Sequence, residues 1–386
     1  MSTIALRSTL ASITRLETEL NSVFYERREV IHGALCAILA GEHVLLLGPA
    51  GTGKSAIVRA LAQAFGGTYF ERLLTKFSTP EELFGPVSLS ALEQDRYERI
   101  TTGKLPEAHF AFADEVFKAN SAILNSLLAL VNERVFHNDG AATKVPLVSF
   151  FGASNELPDG KELEAFFDRF LLRYDVGYLL RPSAIRAMVT SAEPAIATQL
   201  SLADLAAAQS DVSAVAITDG TLDALLAIRE SARSEGITVS DRRWKKTLRA
   251  VQANAYLAGE AATCPEDLLI LADSLWRDPK ERPVVARIVG KEADPVSAQA
   301  REVLDAARET AARIAGLRQA KGREEYMPAA TRAIQEFDEQ RKKLDALASG
   351  AGKRAKATIT EAQQEIGQLH QELARSLARG LGIAIR

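Results

Sequence analysis

The 386-residue sequence predicts an α/β fold, in which a parallel-sheet domain is followed by an all-helical domain and a further helical extension. Three observations predict it. The octet Gly48–Ser55 reads GPAGTGKS directly after the apolar run Val44-Leu45-Leu46-Leu47. A second apolar segment, Phe110-Ala111-Phe112-Ala113, runs into the acidic pair Asp114-Glu115. Past Leu180-Arg181-Pro182 the apolar spacing becomes helical and remains so.

At the N-terminus, residues 8–23 carry Leu10, Ile13, Leu16 and Leu20 at helical spacing, and a second helix covers Arg28 to Leu39. In nucleotide-binding folds such a segment lies beside the base, so Ile31 is a candidate for adenine contact as well as for the core. The octet fits GxxxxGK followed by Ser or Thr, and its glycines accept the dihedrals that turn successive N–H groups inward around a phosphate. The expected ATP contacts are Gly48, Pro49, Ala50, Gly51, Thr52, Gly53, Lys54, Ser55 and Ala56. Lys54 would lie along the β and γ phosphates, Ser55 would offer its hydroxyl to Mg²⁺, and the helix that follows would present its positive end.

That helix stops at Gly66-Gly67, and Tyr69 to Leu74 completes a βαβ start, which places ligands at the carboxyl ends of the strands. Residues 87–106 are polar and interrupted, as in an insertion or hairpin. The strand ending at Asp114-Glu115 delivers two adjacent acids, a costly arrangement unless both are used. Asp114 is the expected Mg²⁺ ligand and Glu115 the residue that orients and polarises the attacking water. Beyond the helix Ala122 to Val131, Val135-Phe136 and Val145 to Phe151 flank the turn residues Asn138, Asp139 and Gly140. The strand Leu147 to Ala153 ends at Ser154-Asn155, which puts the Asn155 carboxamide within reach of the γ-phosphate or the water. Arg169 and Arg173 flank the start of an edge strand and suit either phosphate clamping or structural ion pairs.

From 182 to 277, helices are expected at Ser183 to Val189, Ser201 to Gln209, Thr221 to Ser234, Asp241 to Ala258 and Pro265 to Leu275. An arginine in the first turn of a helix opposes the helix dipole, so Arg242 or Arg243 makes more sense reaching for an external anion. Gly290 to Val296 reads as a linker. Three alanine- and charge-rich helices follow, with a break at Met327-Pro328, and their apolar stripes must be buried in a bundle or against a partner.

Composition is that of an ordinary globular protein, with 47% apolar and 25% charged residues. The formal charge of -3, from 47 basic and 50 acidic residues, argues against a dedicated nucleic-acid binder, although Lys118, Arg134 and Lys144 could line a pore. Cys36 and Cys264 read as core residues of a reduced compartment. No apolar stretch reaches the roughly 18 residues of a membrane span, and a cytoplasmic location is expected. The five histidines have no metal-ligand spacing.

Taken together, GPAGTGKS, FADEVFKAN, SNELP, FFDRF and VSDRRWKK resemble, in order and spacing over about residues 20–280, the MoxR family of AAA+ ATPases, most closely its RavA-type branch. The resemblance implies an AAA+ three-layer αβα P-loop domain (1–181), a helical lid domain (182–285) and here a C-terminal helical bundle or hairpin (286–386). It implies a hexameric ring that couples Mg-ATP hydrolysis to remodelling or activation of a protein client, often with a von Willebrand factor A domain partner. By position, Lys54 and Ser55 are the phosphate-loop pair, Asp114 and Glu115 the acidic pair and Asn155 the first sensor. Arg169 is the finger donated to the neighbouring subunit; Arg242 best matches the second sensor, with Arg243 its rival. Residues 87–108 and 132–146 match two inserts that face the pore or client. RavA-type proteins carry a β-rich module in their tail, whereas only helices are expected here after about residue 295. A nucleic-acid-translocating motor and a nucleotide-gated scaffold are the competing readings.

Overall fold

The computed structural model describes residues 2–190, 196–320, 323–349, 351 and 353–381. By internal contacts the chain divides into two compact units, Met1–Asp223 with Ala232–Val285, and Ala224–Ser231 with Ala286–Arg386.

The first unit opens with α1 (Ser2–Val23) and α2 (Arg28–Ala40), followed by β1 (His43–Leu47), α3 (Lys54–Ala64) and β2 (Tyr69–Leu73). Two short helices, α4 (Pro80–Phe84) and α5 (Leu89–Leu92), lead to β3 (Phe110–Asp114) and α6 (Ser121–Glu133). Then come β4 (Val135–Asn138), β5 (Ala141–Lys144), β6 (Ser149–Ser154), α7 (Lys161–Phe167) and β7 (Phe170–Asp175). Five strands form a parallel sheet in the order β2-β3-β6-β1-β7. Every residue of β1 and β6 is buried, so both faces of the sheet are covered and the domain has three layers. Gly152 in β6 is required by this packing, because a Cβ there would sit 2.6 Å from the Phe170 ring.

β4 and β5 form a separate antiparallel hairpin whose turn, Asp139-Gly140, has positive φ at both residues (52° and 74°). This two-residue turn pairs Asn138 with Ala141, so the second arm is the exposed Ala141–Lys144 and not Val145 to Phe151, which the sequence suggested. The turn is bonded to the polar insert before β3. Asp139 accepts the Tyr97 N–H at 3.0 Å, and Asn138 accepts the Arg99 N–H at 2.7 Å. The insert is itself a loose hairpin with a Val87–Arg99 bridge. Arg134 is engaged within the subunit, donating to the carbonyls of Gly41 (2.7 Å) and Val148 (3.1 Å).

The helical part contains α8 (Pro182–Thr190), α9 (Leu202–Ala214), α10 (Asp219–Ser234), α11 (Asp241–Leu257), a 3-10 segment Pro265–Asp273 and α12 (Arg282–Ala293). Ser201 and Asp204 form a capping box on α9, and Ser240 caps α11 by accepting the Arg243 N–H. Trp276 is fully buried and Trp244 nearly so, as core residues.

In the second unit, α13 (Pro295–Ala320), α14 (Arg323–Ala348) and α15 (Lys353–Leu381) pack on one another. Ala300, Leu304, Ala307, Phe337, Leu344, Ile359 and Ile366 supply a continuous core, so the stripes are buried within the chain. Two expectations are corrected here. Gly290 to Val296 is not a linker, since Asp294 accepts the Ser297 N–H at 2.9 Å and joins α12 directly to α13. Pro328 does not break the helix but lies inside α14, near its start, where its missing N–H forfeits a single bond.

Candidate active site

The octet connects the carboxyl end of β1 to α3. Gly48 donates its N–H to the Ser154 carbonyl (2.9 Å), and its φ of 141° leaves a Cβ no room, 2.3 Å from the Val176 carbonyl. Gly51 and Gly53 have φ of 78° and 85° and face open space. Gly53 is the N-cap of the 11-residue α3 and supplies no side chain, so the first amides of the helix are left for an external acceptor. Lys54 is buried, with its ammonium on the carbonyls of Gly48 (2.9 Å) and Pro49 (2.7 Å). Burial lowers its pKa, while the nearby Asp114 and Glu115 oppose that shift.

Strand order brings the polar groups together. β3, β6 and β1 are adjacent, so Asp114, Asn155 and Gly48 sit at neighbouring carboxyl ends, each step about 4.8 Å. Asp114 accepts the Glu115 N–H at 3.0 Å. Glu115 adopts a left-handed backbone (φ 53°), uncommon for a non-glycine residue. Its buried Oε2 makes no hydrogen bond, although Lys118 Nζ lies 3.3 Å away. A water or a hydrated cation would satisfy that oxygen, and with the open amides and the lysine the residues present fit Mg-ATP. Asn155 is exposed directly after the buried Ser154.

A cavity of about 410 Å³ adjoins the loop at Gly51–Gly53. Its walls are apolar and aromatic, with Phe24 and Tyr25 from one side and Tyr178, Ile185 and Met188 from the other. Ile31 does not line it: α2 turns this residue inward, where it is fully buried in the core. The buried Arg27 ties the cavity to the loop, donating to the Gly177 carbonyl at 2.5 Å and the Thr52 carbonyl at 3.4 Å. Glu26 fastens the far wall by accepting the N–H groups of Leu180 (2.8 Å) and Arg181 (2.9 Å). These bonds and the bond to the Arg181 guanidinium hold its carboxyl down at about 2.

The arginines lie elsewhere. Arg169 immediately precedes β7, whose first residue Phe170 pairs with His43, the first residue of β1. The phosphate loop leaves the other end of β1, five residues or about 16 Å away. Arg242, at the start of α11, bonds Asn132 at 3.3 Å and lines the same small pocket as Arg169. Arg243 is buried and committed: it donates to the Asp168 carboxylate and to the carbonyls of Asp168, Phe170, Leu171 and Ser274. Arg173 is buried too, bonded to the Trp276 carbonyl and stacked 3.9 Å over Phe167. Both are structural cations.

Residues 11–209 match the protein-family model described as the MoxR domain of MoxR-vWA-beta-propeller ternary systems. The chain belongs to the MoxR family. Residues 220–289 match the AAA lid domain. A Methanocaldococcus jannaschii protein, MJ0812, is 46% identical over 70% of this chain and 72% of its own. The protein MoxR of Paracoccus denitrificans is 28% identical over 65% and 83%. A solved Cytophaga hutchinsonii structure, named only as a candidate ATPase, superposes with a TM-score of 0.61 at 20% identity, covering 74% of this chain and 96% of its own.

This MoxR chain therefore combines an AAA+ P-loop region, an AAA lid and a helical extension, an architecture typical of ATP-hydrolysing proteins. The fold places Lys54, Ser55, Asp114, Glu115 and Asn155 at one end of the sheet and Arg169 with Arg242 at the other. Sequence reading missed the walls of the cavity beside the loop, because Tyr25 and Tyr178 are 153 residues apart and carry no motif. The one local hint was the aromatic pair Phe24-Tyr25 beside Arg27. Among the described residues no helix is long and apolar enough to cross a membrane.

Proposed function

We propose that the chain is a Mg-ATP-hydrolysing, ring-forming remodelling motor, hexameric as in the resemblance, whose active sites are completed between subunits. One observation carries this reading: Arg169 stands at the amino edge of the sheet, a strand length from its own phosphate loop. An arginine there is too far from the phosphates of its own subunit, which supports a role toward the nucleotide of a neighbour. Lys54 and the loop amides would bind the phosphates, with Ser55 and Asp114 holding Mg²⁺, whose charge offsets that spread over the phosphate oxygens. Glu115 orients the attacking water and accepts its proton, Asn155 holds that water in line, and the neighbour's Arg169 and Arg242 meet the charge of the transition state.

The matched family model supports a von Willebrand factor A domain protein as partner, with a β-propeller protein as the third component. The insert carrying Leu89, Tyr97 and Ile100, each at least half exposed, is suited to gripping a protein client. A nucleic-acid substrate is not part of this reading, in keeping with the charge of -3, and the expected location is the cytoplasm. The test is a pair of variants. Arg169→Ala should bind ATP normally yet lose turnover by on the order of a thousandfold, and Glu115→Gln should hold ATP unhydrolysed in an assembled ring. Normal hydrolysis by Arg169→Ala would sink the inter-subunit reading.

A further inference from the structure

A cavity of about 440 Å³ opens between α7, the start of β7 and the start of α11, and it is lined by five arginines against two carboxylates, Glu164 and Asp168. Two of the arginines, Arg173 and Arg243, are the buried structural cations described above, and they also absorb Asp168. Arg169 and Arg242 are the two already read as reaching a neighbour's nucleotide. The fifth is Arg277. It is exposed, and among the described residues its guanidinium makes no hydrogen bond or ion pair.

The backbone around Arg277 is held firmly. Trp276 before it is fully buried and its carbonyl accepts Arg173, while the N–H of Arg277 donates to Glu281 Oε2 at 2.8 Å. Asp278 after it caps the short turn Pro279–Glu281 by accepting the Lys280 N–H at 2.8 Å. A guanidinium on an anchored backbone, with no ion pair of its own among the described residues and at the rim of a pocket with a positive excess, is arranged to receive an anion from outside the subunit.

We propose that Arg277 is a third cation delivered in trans, joining Arg169 and Arg242 on the triphosphate held by the neighbouring subunit. The inference rests on the inter-subunit reading above and adds a residue to it. Arginine suits the task because its fork stays charged and bonds two phosphate oxygens at once. Its Coulomb effect is modest while the rim is in water and grows once the neighbour's phosphates close over it. Arg277 therefore belongs to the assembled state, and its loss leaves the isolated subunit as stable as before.

The test uses the full chain with ATP and Mg²⁺. Arg277→Ala should unfold at the wild-type temperature, bind ATP at its own loop with wild-type affinity, and hydrolyse it at least tenfold more slowly at saturation. Arg277→Lys should recover part of that loss. Mixing Arg277→Ala with Lys54→Ala subunits, each poorly active alone, should restore turnover, because some interfaces then pair an intact loop with an intact Arg277. A wild-type rate for Arg277→Ala, or a mixture that stays inactive, overturns the inference. Failure of the underlying reading would look different: there Arg169→Ala would also hydrolyse at the normal rate.

Discussion

Arg243 grips Asp168 through two nitrogens, Nε at 3.2 Å and Nη2 at 3.1 Å, and so removes itself from any role toward an external anion. Arg242, its neighbour in the chain, is left with one 3.3 Å bond to Asn132. The two therefore separate by assay. Breaking a buried pair strands the other charge, so Arg243→Ala should cost about 3 kcal/mol in urea unfolding. Arg242→Ala should change stability by less than about 0.5 kcal/mol yet slow ATP turnover in the assembled protein.

Glu26 is expected to act on nucleotide affinity. Its carboxylate clasps the backbone that carries Tyr178 and Leu179, so Glu26→Ala should loosen one wall of the cavity beside the loop and raise the KM for ATP more than it lowers kcat. Its carboxyl is held down at about 2, so the clasp is present above the ordinary carboxylate range and is lost only as pH falls through about 2. Between pH 8 and 5 the variant and the parent should differ by a constant factor, measurable by titration with a fluorescent ATP analogue.

Gly33 packs α2 against β7 at the closest range its lack of a side chain permits. A Cβ there would lie 1.7 Å from the hydroxyl of the buried Tyr174. Gly33→Ala should destabilise the first unit by about 1–3 kcal/mol through overpacking, despite the better helix propensity of alanine. Tyr174→Phe in the same background should recover part of the loss, as read by thermal unfolding.

Asp273 supplies a pH signature. Burial pushes its carboxyl up to about 6, against the opposing pull of Arg282 at 2.8 Å. A carboxyl raised in the folded state binds its proton more tightly there, so its contribution is complete below the unfolded value and is lost as pH rises through about 6. Asp273→Asn should therefore flatten the fall in stability between pH 4 and 7. A parent and variant with parallel profiles would show that the carboxyl titrates normally.

The parts of this protein legible from sequence are those encoded by contiguous residues. GPAGTGKS demands a strand before it and a helix after it, FAFADE places two acids at a strand end, and the stripe from Ile359 to Leu377 announces a buried helix face. Local steric and periodic rules suffice for such segments, and they determined the α/β core, the helical lid and the C-terminal helices. What only the tertiary structure decided depends on residues far apart in the chain. Sheet order set Asn155 between Asp114 and Gly48, and α2 sent Ile31 into the core while Tyr25 and Tyr178 came together on the cavity beside the loop. The different surroundings of Arg242 and Arg243 were likewise set by Asp168, 75 residues from Arg243, because a buried guanidinium must spend its donors on whatever carbonyls and carboxylates the fold brings beside it.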